Sequence, residues 1–122
     1  IEVPNELPGL NLYDELASGS PINREAIFGE GFAHDMVDLD DVESTLLYRW
    51  VIKDNWKLIV SYDGENVSYQ KYHDDFLVSP RLYNLASDEH EEVDLAQRYP
   101  ERVKSLMREL ERWYTLEKRK VL

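Results

Sequence analysis

The 122-residue chain has no cysteine, two methionines, five glycines and five prolines. Without cysteine there is no disulfide framework, no thiolate metal site and no thiol nucleophile, although the compartment stays open. No stretch approaches the ~18 consecutive apolar residues of a membrane-spanning helix, and the longest uncharged apolar runs, such as Leu58, Ile59 and Val60, are strand-sized. Basic residues are also scarce: Lys and Arg total 14 against 25 Asp and Glu, a net charge of −11. Such a field repels nucleic-acid phosphates and anionic lipid, so neither is an expected partner. The first residues carry no basic stretch and no apolar signal core, and a start at Ile1-Glu2-Val3-Pro4 reads as a cut within a longer chain.

What is present argues for a folded domain. An apolar fraction of 43% with eight Tyr and three Trp is too rich for a disordered tail. The length suits a single domain. Residues 1–23 hold three of the five prolines, Pro4, Pro8 and Pro21, with Gly9 and Gly19, and read as a connector. Within it Leu10, Leu12, Tyr13 and Leu16 have helical spacing and form an apolar face that needs an external partner.

From Arg24 the pattern is strand-like, ending at a bend expected at Gly29-Glu30-Gly31. Residues 35–43, rich in Asp, read as a solvated loop. Residues 44–53 then alternate cleanly: Leu46, Tyr48, Trp50 and Ile52 on one side, Leu47, Arg49, Val51 and Lys53 on the other. Asp54-Asn55 is a two-residue turn, and residues 56–62 return as a second strand. Tyr69 and Tyr72 suggest a short irregular strand or loop, and residues 81–85 a last strand. Pro100 then opens a helix with Val103, Leu106, Met107, Leu110, Trp113 and Tyr114 on one stripe, although Tyr99 is a poor cap. The expected fold is α+β: about four antiparallel strands with the C-terminal helix across one face.

Self-sufficient chemistry is thin. No dinucleotide fingerprint, phosphate loop or G-x-S-x-G occurs, and an acid between Gly29 and Gly31 is wrong for cradling phosphate. His34, His73 and His90 are isolated, without the i, i+4 spacing that pairs imidazoles on a helix. His34-Asp35 and His73-Asp74-Asp75 set an imidazole beside carboxylates, but neighbours on a strand point to opposite faces, so surface residues are the plainer reading. The acids at 38–43 lack calcium-loop spacing. Residues 88–92 look like a metal cluster on paper, but their charges solvate a turn and favour the helical segment downstream. Trp50 and Trp56 have the makings of a sugar platform, yet in alternating strands they read as core. Asn66-Val67-Ser68 is a glycosylation sequon that matters only where glycosylation occurs.

Three passages together resemble the C-terminal subdomain of the sulfatase family, within the alkaline-phosphatase-like superfamily. The first is Ile1-Glu2-Val3-Pro4 with residues 7–12 and 16–19, followed by the strand at 24–30. The second is the hairpin Tyr48-Arg49-Trp50-Val51-Ile52-Lys53 with Trp56-Lys57-Leu58-Ile59. The third is Arg81-Leu82-Tyr83-Asn84-Leu85 with Asp88, Glu91, Asp94-Leu95-Ala96, Tyr99-Pro100-Glu101 and the closing helix. Asn84, His90 and Asp94 depart from the family's commoner residues at those positions.

The resemblance implies that residues 1–23 lead from a missing N-terminal catalytic domain and residues 24–122 form the accessory subdomain. Sulfatases use a formylglycine from a C/S-x-P-x-R motif beside a divalent cation, usually calcium. That motif is absent: the residues two before the prolines are Glu2, Glu6, Gly19, Val78 and Arg98. Formylglycine and calcium are thus implied for the parent enzyme, with no catalytic or metal residue carried over here. The family's habit implies a periplasmic or secreted enzyme. Because its small domain borders the sulfate-ester cleft, His34 and Asp35, on irregular backbone after the first strand, are the candidate substrate-binding residues. A phosphoester or phosphonate hydrolase with the same small domain, and a free-standing acidic module docking a basic partner, are the alternatives. A surface cut from its parent also implies weak self-association.

Overall fold

The turn at Asp54-Asn55 sets the fold, both residues taking positive φ, 51° and 63°, as a two-residue hairpin turn requires. In the computed structural model, which describes residues 9–34, 38–62, 79–117 and 121, this turn joins β2 (Leu46–Lys53) to β3 (Trp56–Ser61). β1 (Ile27–Phe32) pairs with β2, and β4 (Arg81–Asn84) with β3. The result is a four-stranded antiparallel sheet in the order β1-β2-β3-β4. A short helix α1 (Tyr13–Ser18) precedes the sheet and buries no residue, and a 3-10 turn (Val42–Thr45) leads into β2. Helix α2 (Pro100–Trp113) packs on β2 and β3, so the α+β expectation holds.

The core lies between α2 and one face of the sheet, where Leu106 and Leu110 meet Val51, Leu58, Val60 and Leu82. Burial of such side chains contributes roughly 1.5–3 kcal/mol each. Register explains the grouping: Val51 is opposite Leu58, and Arg49 opposite Val60, so these four share a face. Proline at the start of α2 fills a position whose N–H has no helical partner, and Tyr99 before it makes no side-chain cap, as its residue type implies.

Three readings of the sequence need correction. The Gly29-Glu30-Gly31 bend does not form; both glycines lie inside β1. They are opposite Trp50 and Tyr48, and a Cβ on Gly29 would sit 2.3 Å from the Trp50 ring, one on Gly31 2.4 Å from the Tyr48 ring. Glycine is there to let aromatic rings lie across the strand, not to bend it. Second, a register shift between Gly31 and Phe32 leaves Leu47 unpaired with β1, and Leu46 joins the buried cluster with Val51 instead of siding with Trp50. Third, the two indoles part company: Trp56 packs against the core, edge-on to Tyr99, while Trp50 lies on the opposite face with the Lys57 ammonium 5.7 Å from its ring.

The N-terminal apolar stripe is present as exposed side chains, with Tyr13 at 76% and Leu16 at 72% exposure. Tyr69, Tyr72, the Asn66 sequon, His73 and the opening residues 1–8 lie outside the described residues.

Candidate functional site

Arg49 is completely buried on the α2 side of the sheet. Its Nε donates to the Tyr62 hydroxyl (2.9 Å), Nη1 to the main-chain carbonyls of Leu110 (3.4 Å) and Tyr114, and Nη2 to Glu111 Oε1 (3.0 Å). A buried guanidinium is tolerable only when its donors are satisfied. Here it meets the negative end of a helix dipole, where carbonyls lack intrahelical partners. Burial pushes the Tyr62 phenol above its usual range, with Arg49 opposing the shift. The consequence for function is positional: Arg49 holds the last turn of α2 against β2.

That last turn carries Trp113 and Tyr114. The Trp113 ring stacks on Phe28 of β1, centroids 5.1 Å apart and planes 14° from parallel. The Tyr114 hydroxyl donates to Glu43 Oε1 at 2.8 Å, and this bond, more than burial, raises its phenol above the ordinary value, with the charges of Glu43 and Glu30 adding to the effect. The other carboxylate oxygen of Glu43 is buried without a hydrogen-bond partner. The expectation that the 35–43 stretch is merely a solvated loop therefore fails at Glu43, which turns inward from the 3-10 turn.

Between these groups is a cleft of about 360 Å³, walled by Glu30 and Phe32 of β1, Val42 and Glu43 of the 3-10 turn, and Trp113 and Tyr114. Glu30 is opposite Arg49 and so projects to the α2 face, away from the side on which its flanking glycines receive the rings. The candidate His34 is exposed two residues beyond β1, next to Ala33, whose N–H donates to the Thr45 carbonyl at 2.7 Å. It does not line the cleft. Asp35 lies outside the described residues. Glu30, Glu43 and Tyr114 escaped the sequence reading because Glu43 and Tyr114 are 71 positions apart; the one signal was that Trp113 and Tyr114 extend the apolar stripe past the last buried turn.

The remaining acidic candidates have structural employment. Asp88 accepts the N–H groups of Glu92 and Val93 at 3.0 Å each, which holds its carboxyl below the ordinary carboxylate value. Glu91 pairs with Lys57 at 2.6 Å. Asp94 receives the N–H of Leu82 at 3.0 Å and of Ala96 at 2.9 Å, tying β4 to the segment that leads into α2. Among the described residues no three His, Asp or Glu side chains converge as a metal site, and no helix is long and apolar enough to cross a membrane. Comparisons with known protein families, with curated proteins and with solved structures find no match to this chain.

Proposed function

We propose that this chain is the C-terminal accessory subdomain of a sulfatase-type sulfuric ester hydrolase, supporting a separate catalytic domain and bordering its substrate cleft. The observation that carries the reading is the order of the hairpin, the 81–96 passage and the closing helix along the sequence. The jobs of the matched residues are consistent with it. Arg49 fastens the helix end and Asp94 fastens β4 to the helix approach, which are architectural tasks suited to an accessory part. Formylglycine and calcium belong to the catalytic domain in this reading, and no step of the chemistry runs through residues here. Weak self-association of the isolated chain, through the exposed face near α1, belongs to the same proposal.

The test assays sulfate-ester hydrolysis, with calcium, by this chain and by the protein of its complete reading frame after formylglycine maturation. Activity in the longer protein alone is the expected result; activity in neither removes the sulfatase reading. Exchange of His34 in the active longer protein is expected to alter preference among sulfate esters, and unchanged kinetics on all of them removes its substrate role.

A further inference from the structure

We propose that the outer edge of β1 is an interface between two copies of this chain, where residues 24–30 of each copy pair antiparallel about Ile27 and join the two sheets into one. This contact is distinct from the exposed α1 face and independent of the sulfatase reading.

The two edges of the sheet differ. The β4 edge is closed: the Leu82 N–H donates to Asp94 Oδ1 at 3.0 Å, and the Leu82 carbonyl accepts the Leu95 N–H at 2.7 Å. Among the described residues nothing covers β1 in this way. The ladder shows which of its groups face outward. The Tyr62 N–H donates to the Leu47 carbonyl, so the odd-numbered residues of β2 bond to β3, while Tyr48, Trp50 and Ile52 bond to β1. Opposite them are Gly31, Gly29 and Ile27, which leaves the N–H and C=O groups of Phe28, Glu30 and Phe32 aimed away from the sheet. Such an edge is a template for another strand, and β1 contains no proline or lysine to blunt it.

Charge selects the occupant and the register. Arg24 and Glu30, of opposite sign, stand three positions to either side of Ile27. Both are exposed, and neither makes an ion pair or side-chain hydrogen bond among the described residues. Both lie on the α2 side of the sheet: Arg24 shares a cleft with Ala26, Phe28 and Trp113, and Glu30 shares one with Trp113 and Tyr114. A two-fold contact is self-complementary, residue i of one copy meeting j of the other and j meeting i. Centred on Ile27, it sets Arg24 of each copy opposite Glu30 of the other and Ala26 opposite Phe28, while the exposed Ile27 side chains meet on the far face. Residues 24–26, which precede β1 in the single chain, become strand in the pair. Centred on Glu30, the same pairing sets two carboxylates face to face, which is unfavourable.

The experiment follows the 122-residue chain by sedimentation equilibrium over a concentration series at fixed ionic strength, and oxidises Ile27→Cys and Phe32→Cys in separate samples. At the two-fold axis Ile27 forms a non-hydrogen-bonded pair, whose Cα atoms approach to about 4.5 Å, within the span of a disulfide. Phe32 is as exposed as Ile27, 40% against 42%, and controls for random collision; the chain has no cysteine of its own. A reversible monomer-dimer equilibrium is expected, weakened roughly tenfold by Arg24→Glu or by Glu30→Arg, restored in the chain that carries both, and unchanged in Leu16→Ser, which blunts the α1 face. Ile27→Cys is expected to cross-link in preference to Phe32→Cys. Thermal melts check that each variant is folded; if Glu30→Arg is not, Arg24→Glu and the two cysteines decide the matter. A monomer at every concentration, a dimer indifferent to the charge reversals, a dimer lost in Leu16→Ser, or equal cross-linking by the two cysteines overturns the proposal.

Discussion

The two faces of this sheet are made by the same strands and solve opposite problems. Toward α2 lie Arg49, Val51, Leu58 and Val60, all with essentially no exposure. Away from it lie Tyr48, Trp50 and Ile52, only partly buried, with the Tyr48 and Trp50 rings laid over Gly31 and Gly29. By apolar content alone the second set of β2 is the better core, since the α2 side of β2 contains Arg49 and Lys53. The helix reverses the choice because it brings partners: carbonyls and Glu111 for Arg49, and Glu109 at 2.9 Å for Lys53. Burial in a sheet thus follows what the covering element can satisfy, not only which side is greasier. The aromatic set spreads sideways over glycine and covers the backbone of β1.

The comparison breaks most sharply at Arg49. Arg49→Met removes the donors from the Tyr62 hydroxyl and from the last turn of α2, and an expected loss of about 3 kcal/mol in urea unfolding follows from buried acceptors left unmatched. A loss no larger than that of an ordinary surface exchange would mean that the helix end is held by packing alone. The far face is tested at Gly29. Gly29→Ala places a methyl inside the Trp50 ring, with an expected cost of roughly 1–3 kcal/mol. In a Trp50→Ala background the same change becomes neutral or stabilising, since only the conformational freedom of glycine remains at stake. A cost equal in both backgrounds would show that the ring does not set the need for glycine.

The smallest effect is alkaline and concerns Tyr114. Its folded pKa lies above the usual 10.0 because its hydroxyl donates to Glu43. A raised pKa favours the neutral phenol in the folded state, so this contribution is full below pH about 10 and is lost as pH rises through the folded value. Thermal melts across pH 8 to 11 are therefore expected to show a steeper alkaline decline for the native chain than for Tyr114→Phe. Parallel curves would remove the Glu43 contact from the account.

Much of the fold was legible in the sequence, for local reasons. Asp54-Asn55 announces its turn, the alternation from Tyr48 to Lys53 and from Leu58 to Val60 marks β2 and β3, and the α2 stripe from Val103 to Leu110 has one period throughout. What was hidden depends on distant partners. Gly29 and Gly31 look like a break until Trp50 and Tyr48 are placed opposite them. Leu46 changes sides through a register shift that no pattern within β2 reveals. The cleft is less legible still, for Glu30, Glu43 and Tyr114 come from three elements far apart in the sequence.

The most direct measurement is the set of proton contacts made by the Leu106 and Leu110 methyl groups in solution NMR, together with the Arg49 Nε–H signal. The account predicts contacts to Val51 and Leu58, and a slowly exchanging Arg49 Nε–H close to the Tyr62 ring. Contacts from those leucines to Trp50 and Ile52, with a freely exchanging Arg49, would contradict it.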